Sequence, residues 1–420
     1  MRELTVLDNG LRIWLETVSG ARSVAFGVWV GTGSRDESGE YAGACHFIEH
    51  MLFKGTARMD AYRLAREMDR LGGNFNAYTD KEVTCFLARV RPEHVRQGLD
   101  LLSEMLLASV FEPSQVEVER RVIFEEMAMY RDNAEDVAQD AFASALWGDH
   151  PLARPVLGDE DSVKRVGQEQ LLEFYREWFT PDRSVVAVAG RFDEHEVLEY
   201  IWEAFGGWQG RSEKTRSTPA SHRGVHRILT RPGEQVHVSA GTAGPALGDD
   251  WLYAAYVLSE MYGAGPSSRL FQRVRENGGL VYSILSDVVA YSDTGSFGIY
   301  LATTPANVQK VLDEILSENV RLLEEGVSPE EIESAREQLI SATMLSAEGP
   351  VAVASRAAKS LLGLGRVRSL EDVTEGIRAV RQDALLDAAH RLLDTRNWSW
   401  AAVGPRAGSW RSALLGLKGG

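Results

Sequence analysis

The chain has 420 residues, too many for one ordinary core, and its mix of apolar and charged side chains is that of a globular protein of about two or three domains. A net charge of −16 excludes the basic surface that nucleic acid requires, and no apolar run approaches the ~18 residues of a membrane span. Two cysteines, Cys45 and Cys85, cannot build a disulfide framework, and the N-terminus has no leader-like pattern, so a reducing, cytoplasmic setting is predicted.

In chain order, residues 22–31 (RSVAFGVWVG) read as a strand and 43–54 as a helix. A strand running into Pro and an amphipathic helix follows at 86–106, then a helix opened by Pro and polar capping residues at 111–123. A last strand closes this half at 180–190. Residues 206–224, rich in Gly, Ser, Thr and charge, look like a linker. The same plan then repeats: a strand at 235–242, a helix at 250–262, strand-Pro-helix at 299–319, a helix at 326–340 and a last strand at 394–404. The reading is α+β: two homologous domains, 1–207 and 222–420, joined by a linker over 208–221. Each carries an antiparallel or mixed sheet with helices on one face.

The first half holds His46-Phe47-Ile48-Glu49-His50. At about 100° per residue, His46 and His50 lie one turn apart with Glu49 beside them, while Ala44, Phe47, Ile48, Met51 and Leu52 form the opposite, apolar stripe. Such a helix can face a core with one side and offer imidazoles to a metal with the other. Zinc in a hydrolase takes three protein ligands and leaves one position open for water, so a further His or carboxylate is needed. On the helix at 114–132, Glu119 and Glu126 are only about 20° apart. Around them lie Val116, Val118, Val122, Ile123, Met127, Met129 and Tyr130, while Glu117, Arg120, Arg121 and Glu125 point elsewhere. An unpaired carboxylate in an apolar stripe is costly and a cation would remove that cost, which makes Glu126 the third ligand. The second half supplies a control. Tyr256, Ser259 and Glu260 stand at the positions of His46, Glu49 and His50, and Ala335 and Ala342 at those of Glu119 and Glu126.

His-x-x-Glu-His, in the context HFIEHMLFKGT and preceded by GTGSRDE (31–37), resembles the pitrilysin/insulysin family of inverted-motif zinc peptidases, in its short-chain branch like the mitochondrial processing peptidase. The resemblance implies Zn2+ on His46, His50 and Glu126, Glu49 as catalytic base, and Glu119 as a supporting residue. GGNFNAYTDKEVT (72–84) is similar to the family's edge strand that binds an extended substrate, with Asn76 and Ala77 at its centre. RVRENGGLVY (273–282) is similar to the motif whose Arg275 and Tyr282 reach the substrate. Tyr282 is also read as the repeat counterpart of Asn76. The fold implied is half of a clam shell. Two such chains would enclose a chamber for short or unfolded peptides, as a homodimer or as a heterodimer with a metal-free homologue. The alternative is a non-catalytic or regulatory subunit of a peptidase-like assembly, a role usually marked by loss of a ligand or of Glu49.

Overall fold

Val24–Val30 (VAFGVWV) and Ser184–Gly190 (SVVAVAG) are buried at every position, and strands of that kind persist only where both faces of the sheet are covered. The computed structural model describes residues 2–217, 219, 221, 224–406, 408 and 410–417. In it the first sheet contains β1 (Arg2–Val6), β2 (Arg12–Thr17), β3 (Val24–Val30), β4 (Asn74–Thr79), β5 (Thr84–Val90) and β6 (Ser184–Gly190). Their order is β1-β2-β6-β3-β5-β4, antiparallel except for the β2–β6 pair. One face packs Phe26, Val28 and Val186 against Phe47, Ile48, Leu102 and Ile123 from the helices. The other face, with Trp14, Trp29, Val185 and Ala187, is covered by the helix Pro350–Leu364 through Ala354, Ala357, Ala358 and Leu361. The alanines let that helix lie close to the strands, and Arg12 ties to it by donating to the Leu361 carbonyl at 2.9 Å.

The second sheet contains β7 (His226–Thr230), β8 (Val236–Gly244), β9 (Val281–Ala290), β10 (Gly295–Thr303) and β11 (Ser399–Gly404) in the order β7-β11-β8-β10-β9. Only β7–β11 is parallel. Its main core joins Val238, Phe297, Ile299 and Trp398 to helical residues such as Leu258, Ile315 and Leu385. The opposite face receives the helix Ala134–Trp147, whose buried residues Ala138, Ala141 and Ala145 give it the same small-residue surface. Apart from β1, the two sheets repeat one strand order, with β4 and β9 as equivalent edges.

The compact units therefore differ from contiguous halves. One comprises Met1–Ala128, Arg154–Ser217 and Ser346–Arg368, and the other Met129–Ala153, Thr218–Leu345 and Ser369–Gly420. Each sheet has helices on both faces rather than one, because each unit takes a helix from the other half of the chain. The expected linker 208–221 differs as well (218 and 220 lie outside the described residues). Arg216 makes two 2.8 Å bonds to the buried Asp36 and donates to the carbonyls of Gly31 and Glu82 at 3.0 and 2.9 Å. Composition showed the polar character of this stretch but not its anchoring partners. Register corrects a further reading. Leu87 and Tyr300 are equivalent repeat positions, and they pair with Asn76 and Leu285. Leu285, not Tyr282, is thus the counterpart of Asn76; Tyr282 falls at an irregularity where Ser283 pairs with Ala302 but Val281 with Thr303. Among the described residues no helix is long and apolar enough to cross a membrane.

Candidate metal centre

The motif helix spans Ala44–Met51 and begins after Gly43, whose φ of +91° belongs to the left-handed region. A Cβ there would meet the Leu157 carbonyl oxygen at 2.5 Å, so only glycine lets the chain enter the helix at this point. The buried carboxylate of Glu37 accepts the amides of Gly43 and Cys45 at 2.7 Å each, which fixes the first turn just ahead of His46. Ala44, Phe47, Ile48 and Met51 enter the core, as the helix phase predicts, and leave His46, Glu49 and His50 on the other side.

Three ligand atoms converge. Glu126 Oε2 lies 3.5 Å from His46 Nε2 and 3.6 Å from His50 Nε2. Zinc bonds of ~2.0–2.2 Å in a tetrahedron place neighbouring ligand atoms roughly 3.3–3.6 Å apart, so these separations fit a zinc ion. The trio His46, His50 and Glu126 is the single group of this kind among the described residues. His50 Nδ1 donates to Glu119 Oε2 at 3.0 Å, which leaves the Nε2 lone pair for the metal and fixes the ring. Burial, with a smaller contribution from His50, lowers the His46 pKa to about 4, so its imidazole is neutral, as a ligand must be. Its Nδ1 is buried with no partner among the described residues, and the ring stands edge-on to that of His50 with 4.6 Å between centroids.

Glu119 is 2% exposed. Burial opposes its charge, but hydrogen bonds from His50 and Lys54 outweigh burial and hold its pKa below the usual carboxylate value. Lys54 Nζ sits 2.8 Å from Glu119 Oε1. The cation that neutralises Glu119 is therefore this lysine, which sequence phase did not reveal. Glu126 is half-buried at the margin of the apolar stripe, where a ligand facing open space belongs. The stripe is narrower than predicted. Val116, Glu119, Arg120, Ile123 and Met127 are buried, whereas Val118, Val122, Met129 and Tyr130 are exposed. Arg120, expected to point away, lies over the Phe47 ring at 5.5 Å and donates to Val163 and Glu117.

Glu49 is half-buried, and burial raises its pKa even though hydrogen bonding from Thr79 and the nearby His50 lower it. Thr79 Oγ1 donates to Glu49 Oε2 at 2.6 Å. Sequence reading missed Thr79 although it lies within the segment quoted for Asn76 and Ala77. Alternation along β4 was the available signal, since Phe75, Ala77 and Thr79 share the face toward the helices. Ala77 packs at the rim of that core, while Asn76 is exposed on the edge strand. Arg275 and Tyr282 belong to the second unit. The Arg275 guanidinium lies 4.7 Å over the Phe271 ring, and Tyr282, on the edge strand β9, is 75% exposed.

Comparison with known proteins adds sequence and fold relatives. The family model for insulinase (peptidase family M16) matches residues 12–160, and that for the peptidase M16 inactive domain matches 165–339. The uncharacterized zinc protease YmxG of Bacillus subtilis is 35% identical, over 95% of this chain and 97% of its own length. An uncharacterized zinc protease of Mycobacterium tuberculosis is 38% identical, over 97% of this chain and 94% of its own. Among solved structures, a protease from Helicobacter pylori shares the fold at a TM-score of 0.88 and 20% identity, covering 96% of this chain and 99% of that one. A peptidase M16 inactive domain from Pseudomonas fluorescens does so at 0.90 and 18%, covering 97% and 98%.

Proposed function

The chain belongs to the insulinase family, peptidase family M16, and from that membership we propose that it is a zinc-dependent endopeptidase acting on short or unfolded peptides. The relatives that share about a third of its residues are named zinc proteases, which supports Zn2+ as the cofactor. The observation that carries the reading is the approach of Glu126 to both His46 and His50 at zinc-sized separations, in a group of three ligand atoms beside a half-buried Glu49. A bound zinc supplies Lewis acidity, lowering the pKa of water toward ~7 and polarising a carbonyl.

The chain's own residues do the rest. Glu49 takes the proton of the attacking water and returns it to the leaving amine. Burial raises its pKa above the ordinary carboxylate value, which strengthens it as a base. Glu119 holds His50 in the tautomer that presents Nε2. A peptide adds to the open edge of β4 at Asn76 and Ala77, so its main chain supplies most of the recognition. Arg275 and Tyr282 grip the substrate or meet its developing oxyanion. The assembly we propose is a homodimer in the cytoplasm, with a heterodimer beside a metal-free homologue as the variant. An intact set of His46, Glu49, His50 and Glu126 favours this over a non-catalytic subunit.

The test is Glu49→Gln, with an unstructured peptide as substrate and a chelator control. The variant should keep its zinc and lose turnover by about a hundredfold or more. Near-normal cleavage by the variant, or cleavage by the wild type that survives metal removal, overturns the proposal.

A further inference from the structure

The hydroxyl that touches Glu49 belongs to a strand with no other evident duty at the metal centre. We propose that Thr79 is the positioning residue of the general base, which rests on the reading of Glu49 as that base. Its Oγ1 donates to Glu49 Oε2 at 2.6 Å. With one carboxylate oxygen engaged, the other is left as the proton acceptor, and the side chain is prevented from turning within the cleft. A carboxylate on a helix surface otherwise has several rotamers, and a base must sit within hydrogen-bond reach of the water it deprotonates.

Thr79 is suited to this by its surroundings. A β-branched residue on a strand is restricted about χ1, so its hydroxyl has a defined direction. The backbone beneath it is fixed. Thr79 pairs with Thr84 as the last rung of β4–β5, and the turn beyond closes through Asp80 N to the Val83 carbonyl at 2.8 Å. The loop at 33–35 then holds that turn, with Ser34 N on the Asp80 carbonyl at 3.1 Å and Arg35 N on the Lys81 carbonyl at 2.8 Å. Thr84 is itself buried and donates to the Thr32 carbonyl at 2.8 Å. The neighbouring Tyr78 faces the other side of the sheet, where its hydroxyl accepts from Trp29 at 3.2 Å. Thr79 thus links a clamped hairpin to a side chain on the motif helix. One strand then sets both the register of a peptide lying along Asn76 and Ala77 and the place of the group that activates water.

The experiment compares wild type, Thr79→Val, Thr79→Ser and Glu49→Gln, measuring kcat, KM, bound zinc and melting temperature. Valine keeps the shape and removes the donor. Hydrogen bonds to charged groups have strengths that translate to about ten- to a hundredfold in rate, so kcat of Thr79→Val should fall by that factor. Its KM and zinc content should stay within about twofold of wild type, and Thr79→Ser should recover most of the lost kcat. A kcat for Thr79→Val within twofold of wild type overturns the assignment. So does a serine variant as impaired as the valine one, which would assign the effect to packing of the γ-methyl, or zinc loss in the valine variant. An inactive wild type, or an active Glu49→Gln, would instead remove the underlying reading of Glu49; an active wild type with an unaffected valine variant removes only the role of Thr79.

Discussion

Glu119→Gln tests how the proposed zinc site is supported. In the native chain one carboxylate oxygen accepts from His50 Nδ1 at 3.0 Å and the other from Lys54 Nζ at 2.8 Å. An amide has a single oxygen and no charge, so it satisfies one of these donors and turns an NH2 toward the other. Lys54 is 31% exposed and can regain water, so the loss falls chiefly on His50. A hydrogen bond to a charged partner contributes about 1.5–3 kcal/mol, and partners of metal-bound histidines change metal affinity by about 10–100-fold. The two figures agree, since about 1.4 kcal/mol is a tenfold change. Zinc Kd, measured by competition with a chromophoric chelator at neutral pH, should weaken by about 10–100-fold. Glu125→Gln, at an exposed site on the same helix, should leave it unchanged. A Kd for Glu119→Gln within twofold of wild type, or an equal loss in the Glu125 control, would refute the argument.

Two other outcomes are expected. Burial raises the Glu37 carboxyl from 4.5 to about 8, against the pull of the Cys45 and Gly43 amides. A carboxyl whose pKa is higher in the folded state stabilises the fold fully below its unfolded value, and that contribution fades as pH rises through about 8. Glu37→Gln should therefore flatten the decline of melting temperature across this range. At acid pH, where the carboxyl is protonated and like the amide has one full acceptor oxygen, the two chains should differ little in stability; an unchanged pH slope refutes the assignment. Tyr282→Phe should reduce kcat/KM about tenfold while zinc content and melting temperature hold. The hydroxyl belongs to a side chain that is 75% exposed, so a role in packing is small, and unchanged kinetics would remove the second unit's motif from the mechanism.

The grouping of His46, His50 and Glu126 was largely legible in the sequence, because helix phase is local. Residues one turn apart must share a face, and the motif needs no knowledge of the rest of the chain. Fold class and the repeat were legible for a similar reason: strand-Pro-helix segments recur with recognisable spacing. What escaped is what depends on contact between distant segments. Lys54 carries no periodic mark, and the alternation that turns Thr79 toward the helices does not state which carboxylate from another element will meet it. Arg120 reads as a surface charge until Phe47 and the Val163 carbonyl are placed around it. The two alanine-faced helices are amphipathic in the ordinary way, and composition does not say which sheet each will cover. The repeat held a hint, since both follow the long helices at Pro113–Asp132 and Pro329–Ser346. The β9 irregularity, likewise, shifts a register that ungapped alignment cannot see.

The helix Pro350–Leu364 has a consequence for how the chain is made. Every strand of the first sheet has left the ribosome once Gly190 emerges, yet the helix that covers Trp14, Trp29 and Val185 lies roughly 160 residues further on. At about 5–20 residues per second, that apolar face waits on the order of 10–30 s for its cover. Nascent chains should therefore engage holdases over this interval. For the same reason, a fragment ending near residue 207 should aggregate when expressed alone and be recovered when the remainder of the chain is supplied alongside it.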